Sequence, residues 1–340
     1  MLLNTLAMRF GYSQPRSLAK FVTTWLVLLL TTYTLWHTWF AHAHRTKTQS
    51  NVYAFYAHND IYACSLLVNA HILRHVFHTR YRIVAILSDG VSTAMRDRLV
   101  ERNITIMNDT PLPLHEGTIP YYDGCLLKLS AFKLHEYDPT IQRALVLDAD
   151  QLILQNLDDL FDIRPAVQFM APTAYWLSNR TISSTCMLIQ PGAQVWDRVK
   201  TAAANMTSSE YDMDLMNRLF GDPEETPVRL NSKFVTLNSH WEDWNLPAWF
   251  NNATEHQGPT WFEDAERQAA KDRATSLEMH ALHNQAAIVH FTAVGKPWSL
   301  ATEDLRKRKP DAHPLLAQQW RTWRSLAMQE CPAGTMSGVV

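Results

Sequence analysis

Ala144-Leu145-Val146-Leu147-Asp148-Ala149-Asp150-Gln151-Leu152-Ile153-Leu154 decides how the rest of the chain is read. Its first apolar run is too short for a helix and has no polar alternation, which predicts a strand covered on both faces, as in a parallel sheet. Ligands of open α/β sheets gather beyond the carboxyl ends of the strands, where Asp148 and Asp150 emerge. Ala149 is too small to keep both acids from approaching one hard cation. An Asp-x-Asp taken alone is equally the pattern of a strand end capped by solvated aspartates, so partners have to be found elsewhere in the chain.

Upstream, Val52-Tyr53-Ala54-Phe55-Tyr56-Ala57 is β-rich and ends at His58-Asn59-Asp60. Ala63 to Val76 has helical spacing, Arg82 to Leu87 is a second strand, Ser92 can cap a helix running to Arg102, and Ile104 to Met107 is a third strand. This alternation is that of βαβ units, so the first half reads as a doubly wound nucleotide-binding sheet. No Gly-x-Gly-x-x-Gly and no Gly-Lys-Ser/Thr loop follows the first strand, so any phosphates are held by other means, a metal first among them. Cys125 to Leu134 reads as a helix leading to the acidic strand. Gln168 to Pro172 and Thr185 to Pro191 read as further strands, Trp196 to Ala204 as a helix, and Tyr211 to Asn217 opens another, its first-turn acids suiting the helix dipole.

The partner of the two aspartates stands far downstream. Ala286-Ala287-Ile288-Val289-His290-Phe291 is a short apolar strand ending in a histidine, followed by Gly295-Lys296-Pro297-Trp298. Two carboxylates and one imidazole suit Mn2+, which accepts oxygen and nitrogen ligands and leaves positions for phosphate oxygens. Lys296 offers a point charge for the same diphosphate. Taken singly, His290 also fits a core histidine and Lys296 a solvated loop lysine.

Together these motifs resemble the glycogenin-like retaining glycosyltransferases, glycosyltransferase family 8. Leu147-Asp148-Ala149-Asp150 with Asn156-Leu157-Asp158-Asp159-Leu160-Phe161 is similar to the family's metal motif and the segment after it, and Val289-His290-Phe291 with Gly295-Lys296-Pro297-Trp298 to its closing motif. The resemblance spans about residues 52 to 298 and is closest to fungal, membrane-anchored N-acetylglucosaminyl or glucosyl transferases. It implies a GT-A fold, a Rossmann-like nucleotide-binding mixed sheet flanked by helices, that binds a UDP-sugar donor through Mn2+. By matching position it implies Asp148, Asp150 and His290 as metal ligands, Asn59 and Tyr62 as nucleoside contacts, Lys128 and Lys296 on the diphosphate, and Asp212 orienting the sugar, with Asp212 and Lys296 the catalytic pair. The acceptor would be a glycan or glycoprotein. Three departures stand out: Met213 where the family often has Gln, Ser183-Ser184-Thr185 in place of Asn-Ser-Gly, and no tyrosine after Tyr211, which argues against self-glucosylation. Two other readings compete: a membrane-tethered glycan-binding relative that has lost turnover, and a haloacid-dehalogenase-like phosphatase, whose Asp-x-Asp stands near the start of its domain rather than after about 95 residues of βα units.

The 340 residues carry a formal net charge of -2, which gives no basic excess for nucleic acid. From Phe21 to Phe40 no formal charge occurs, and ~20 residues at 1.5 Å each span about 30 Å of hydrocarbon. Residues 21–40 are therefore expected to be a transmembrane signal anchor in the lipid bilayer, with residues 1–20 a cytosolic tail, 41–50 a stem, 51–330 the lumenal domain and 331–340 a tail. A cleaved signal peptide ending at Ala41-His42-Ala43 is the rival. Arg9, Arg16 and Lys20 before the span against Arg45 and Lys47 after it put the domain in the lumen, as in a single-pass type II Golgi protein. Five Asn-x-Thr sequons, at Asn103, Asn108, Asn179, Asn205 and Asn252, agree with a lumenal glycoprotein. Cys64, Cys125, Cys186 and Cys331 have no metal-type spacing, and the sequence leaves disulfides and buried thiols equally open. Leu315 to Met328 reads as a helix packed on the domain.

Overall fold

The β-rich run after residue 50 is buried along its whole length, and its side chains alternate between two apolar clusters. Val52, Ala54 and Tyr56 enter one cluster, Tyr53, Phe55 and Ala57 the other, as a strand covered on both faces requires. The computed structural model describes residues 22–37, 50–115, 117, 124–164, 167–224, 226, 228–250, 273–292 and 294–336.

The strands are β1 (Asn51–Ala57), β2 (Arg82–Leu87), β3 (Thr105–Asn108), β4 (Arg143–Leu147), β5 (Gln151–Ile153), β6 (Phe169–Met170), β7 (Cys186–Ile189), β8 (Thr236–Leu237) and β9 (Ile288–His290). The principal helices are α1 (Asp60–His71), α2 (Thr93–Glu101), α3 (Ala193–Ala203), α4 (Asp212–Phe220), α5 (Ser276–Gln285), α6 (Thr302–Arg308) and α7 (Pro314–Glu330). Six strands form the main sheet in the order β3-β2-β1-β4-β7-β6, and β5-β9-β8 form a small second sheet. Strands β1 to β4 are parallel, whereas β7 runs antiparallel to β4 and β6 to β7. The doubly wound pattern thus holds for the first half, and the sheet as a whole is mixed α/β and rich in parallel pairs.

Local signals explain most element ends. Asn59 caps α1 by accepting from the Tyr62 amide at 3.2 Å, and Ser92 caps α2 by accepting from Met95 at 3.3 Å. The helix predicted from Cys125 is a 3-10 helix over Cys125–Lys133, entered through Gly124 at φ +75. A side chain at residue 124 would put its Cβ 2.7 Å from Cγ of His58, so this close approach needs glycine. The acidic segment after β5 is structural: Asp158 is buried and accepts from the Tyr53 hydroxyl at 2.7 Å and from Thr79.

Cys64 and Cys331 are joined in a disulfide, while Cys125 and Cys186 are free. Residues 1–48 and 49–340 form separate compact units. In the first, residues 22–37 are helical. Among the described residues no helix is long and apolar enough to cross a membrane, so the expected anchor over 21–40 is not reproduced as a spanning helix. Residues 21 and 38–40 of that span, residues 41–49 of the stem and the sequon at Asn252 lie outside the described residues.

Candidate active site

Strand β4 ends at Leu147, and Asp148-Ala149-Asp150 turns the chain into β5 of the small sheet. Backbone bonds hold the turn on both sides: Asp148 N donates to Thr185 O at 3.0 Å, and Phe291 N to Asp150 O at 3.0 Å. Antiparallel pairing of β5 with β9 sets Gln151 opposite His290. Ligand atoms of Asp148, Asp150 and His290 consequently lie within 4.8 Å of one another. Two ligands placed across one hard cation at about 2.0–2.6 Å each are about 4–5 Å apart, so the spacing fits a single ion.

Charged partners surround this cluster. Lys128 Nζ lies 2.7 Å from Asp148 Oδ1 and 2.6 Å from Asp212 Oδ2. The Tyr56 hydroxyl donates to Asp148 Oδ1 at 3.0 Å, and Ser184 donates to Asp212 Oδ2 at 2.6 Å. Lys296 Nζ bonds both Asp150 Oδ2 and the Phe291 carbonyl. Asp148, Asp150 and Asp212 thus face the two ammoniums of Lys128 and Lys296, leaving one negative charge in excess.

The electrostatics follow from that excess. Burial pushes the Asp148 carboxyl up to about 6, with Asp150 and Asp212 adding to the rise and Lys128 opposing it. Burial would also raise Asp150 and Asp212, but it is outweighed by His290 and Lys296 in the first and by Lys128 and Ser184 in the second, so both lie below the ordinary carboxylate value. Burial would lower Lys128, yet its two carboxylates lift it above the usual lysine range. Burial pushes His290 down to about 4, so the ring is neutral at pH 7. Its Nδ1 is 3.6 Å from Asp150 Oδ1 and, among the described residues, is buried without a hydrogen-bond partner. A buried neutral imidazole nitrogen with no partner, beside an uncompensated carboxylate charge, fits a divalent cation with oxygen and nitrogen ligands.

The sequence-predicted nucleoside contacts lie at the carboxyl end of β1. Asn59 Oδ1 is engaged in capping α1, and its amide lies 3.0 Å from His58 Nε2. The Tyr62 ring is 4.7 Å from His58 and 5.3 Å from Trp298, centroid to centroid. The structure therefore gathers Lys128, Asp148, Asp150, Asp212, His290 and Lys296 into one cluster, with Lys128 joining Asp148 to Asp212 and Asp150 facing His290 and Lys296, while the Tyr62 ring reaches Trp298 in the loop that carries Lys296. Sequence reasoning missed Tyr56, whose role depends on β1 lying beside β4. It noted Ser184 only as a departure from a family pattern, although the residue holds Asp212. It also missed Asn238, whose Oδ1 accepts from Thr292 N at 3.0 Å and whose N donates to His290 O at 3.0 Å, bracketing Phe291.

No family model matches the chain. Glucose N-acetyltransferase 1 of Gibberella zeae is 30% identical over 220 residues, which cover 62% of this chain and 42% of that protein. Glycogenin-1 of Oryctolagus cuniculus is 24% identical over 279 residues, 77% of this chain and 72% of that one. Among solved structures, the galactosyltransferase LgtC in complex with donor and acceptor sugar analogs matches with a TM-score of 0.50 at 19% identity, over 85% of this chain and 100% of LgtC. That likeness shows the fold, the mixed α/β arrangement of GT-A glycosyltransferases. The chain spans less than half the length of the fungal relative, at 42%. These matches make the chain a relative of the glycogenin-like glycosyltransferases, as its two motifs imply.

Proposed function

We propose that this relative of the glycogenin-like family 8 enzymes is a retaining, Mn2+-dependent glycosyltransferase that moves a hexose or N-acetylhexosamine from a UDP-sugar to a glycan or glycoprotein. The observation that carries the reading is the convergence of Asp148, Asp150 and His290 within 4.8 Å, with Lys296 on Asp150 and Lys128 on Asp148. A divalent cation bound there supplies Lewis-acid stabilisation of the charge that develops on the leaving diphosphate. Lys296 and Lys128 add fixed positive charge to the same region. Tyr62, in the first turn of α1 just beyond β1, offers its ring to the base, and Asn59 fixes that turn by capping the helix. Asp212, tied to Lys128 and Ser184 at the first turn of α4, orients the sugar hydroxyls.

How Asp212 is held bears on the route to retention: it disfavours a double displacement through a covalent intermediate, which would also retain configuration. An oxygen committed to an ammonium and a hydroxyl is poorly placed to attack the anomeric carbon. The acceptor hydroxyl instead forms its bond on the face where the bond to phosphate breaks, and its proton passes to the departing phosphate oxygen. No second carboxylate at hydrolase spacing is required.

The same proposal places the site in the lumen of the secretory pathway, in the Golgi, behind a membrane anchor at residues 21–40. Three features support it: a disulfide, which persists in oxidising compartments; exposed asparagines in the sequons at 103, 108, 179 and 205; and a helix over 22–37 whose apolar side chains, from Trp25 to Trp36, are exposed. A donor screen with the detergent-purified full chain tests the enzymatic part. UDP-glucose, UDP-N-acetylglucosamine, UDP-galactose and UDP-glucuronate are offered with Mn2+ or with chelator. Chelator-sensitive UDP release from one donor, with the product's anomeric configuration retained by NMR, is expected. Release that ignores the chelator, or an inverted product, contradicts the reading.

A further inference from the structure

Helix α7 carries no residue of the candidate site, yet it touches both segments that do. Trp323 Nε1 donates to Ser65 Oγ at 2.8 Å, and Ser65 Oγ bonds the carbonyl of Ala149, the residue between the two aspartates. All three residues are buried. The Trp323 ring also lies 5.3 Å from that of Trp298. Beside it, Arg324 Nη1 donates to Pro297 O at 2.9 Å and Trp320 Nε1 to Leu300 O at 3.1 Å. The Trp320 ring packs 5.2 Å from Phe291, the neighbour of His290. One helix thus braces the Asp148–Asp150 turn and the loop after β9.

The helix is fixed at its far end as well. Glu330 is paired with His71 at 2.9 Å and with Arg102 at 2.7 Å. Cys331 is bonded to Cys64, the residue next to Ser65. The disulfide and the Trp323–Ser65 hydrogen bond are therefore two rungs between α7 and α1.

We propose that Trp323 is a positioning residue for the metal centre, acting through Ser65 on the Ala149 peptide and so on the relative setting of Asp148 and Asp150. The chemistry of the relay is directional. An indole N–H can only donate, so it takes the acceptor side of the Ser65 hydroxyl and leaves the hydroxyl's single proton for the Ala149 carbonyl. Rotation of that one peptide changes the distance between the flanking carboxylates. Asn69 steadies the next step of the chain, its Nδ2 donating to Gln151 O at 2.8 Å and its Oδ1 accepting from Ile153 N at 3.2 Å. The inference rests on the reading of Asp148, Asp150 and His290 as a metal site.

Mn2+ binding to the full chain, followed by the EPR signal of the free ion, tests it without turnover. Trp323→Phe keeps the ring against Trp298 and removes only the N–H, and Ser65→Ala removes the relay hydroxyl. Each single variant is expected to bind Mn2+ about tenfold more weakly, as loss of an outer partner of metal ligands does. The double variant should be no weaker than either single one, because both changes break one relay. Unchanged affinity in the singles, even with a lowered melting temperature, reduces Trp323 to a packing residue and overturns the proposal, and so does an additive loss in the double variant. Absence of Mn2+ binding by the wild type is a different failure, since it removes the metal reading and this inference with it.

Discussion

Gln151 and His290 are register partners in the antiparallel pair of β5 and β9. Gln151 follows Asp150 directly, so this pairing carries an imidazole from a distant part of the chain to within ligand reach of the acidic turn. His290→Gln leaves the strand backbone in place and removes the imidazole. The variant is expected to bind Mn2+ more than about 100-fold more weakly, beyond the range seen for outer partners of metal ligands. Pulsed EPR of the Mn2+ complex should show nitrogen coupling in the wild type and none in the variant. Coupling that survives the substitution would take His290 out of the metal set.

Lys128 is the cation shared by Asp148 and Asp212, and it is buried with them. Lys128→Met strands two buried carboxylates, and breaking such a pair costs about 3–5 kcal/mol. Urea unfolding at neutral pH measures it. Adding Asp212→Asn should recover part of the loss, because one uncompensated charge is then gone. Equal stability of wild type and Lys128→Met would mean that the three side chains do not form a buried ion network.

Acid should weaken cation binding in a defined order. Asp148, pushed up to about 6 by burial, must be ionised to act as a ligand. Mn2+ affinity is therefore full well above pH 6 and falls as pH drops through it, by about tenfold per pH unit for one proton taken up. His290, pushed down to about 4 by burial, stays neutral until lower pH and then steepens the fall. Calorimetric titration at several pH values checks this, and affinity that stays constant to about pH 5 would contradict it. Stability has the same sense for Asp150 and Asp212: their lowered folded-state values contribute stability above the ordinary carboxylate pKa, which is lost as pH falls through the folded values.

The Cys64–Cys331 bond closes a sequence separation of 267 residues and ties α7 to α1. Cys331→Ser is expected to lower unfolding stability by about 2–4 kcal/mol, read by denaturant unfolding under non-reducing conditions. A free-thiol count of four in the native protein would show that the bond does not form.

What was legible in the sequence follows from how locally each feature is encoded. The acidic strand end was readable because four apolar residues before Asp148 admit little else, and β1 and β2 for the same reason. His290 became a candidate only beside the Asp-x-Asp motif, since nothing local distinguishes a ligand from a core histidine. Lys128 was placed by resemblance, and its contacts depend on a 3-10 helix that opens at Gly124. Tyr56 and Ser184 were illegible because sheet order decides what they meet: β1 and β7 both flank β4. The antiparallel course of β7 and the partner of Cys64 are likewise long-range facts with no local pattern. Residues 21–40 carry a plain apolar signal for a span; residues 22–37 of it are helical, and among the described residues no helix is long and apolar enough to cross a membrane.

The central claim is that Asp148, Asp150 and His290 hold the cation that drives cleavage of a sugar nucleotide. UDP release by the full chain from its preferred donor, compared between wild type and Asp150→Ala across a Mn2+ titration, tests it most directly. Mn2+-dependent release by the wild type, and loss of at least about 100-fold in the variant at every Mn2+ concentration, is the predicted result. Release by Asp150→Ala at the wild-type rate, or no release by the wild type with any UDP-sugar, would contradict it.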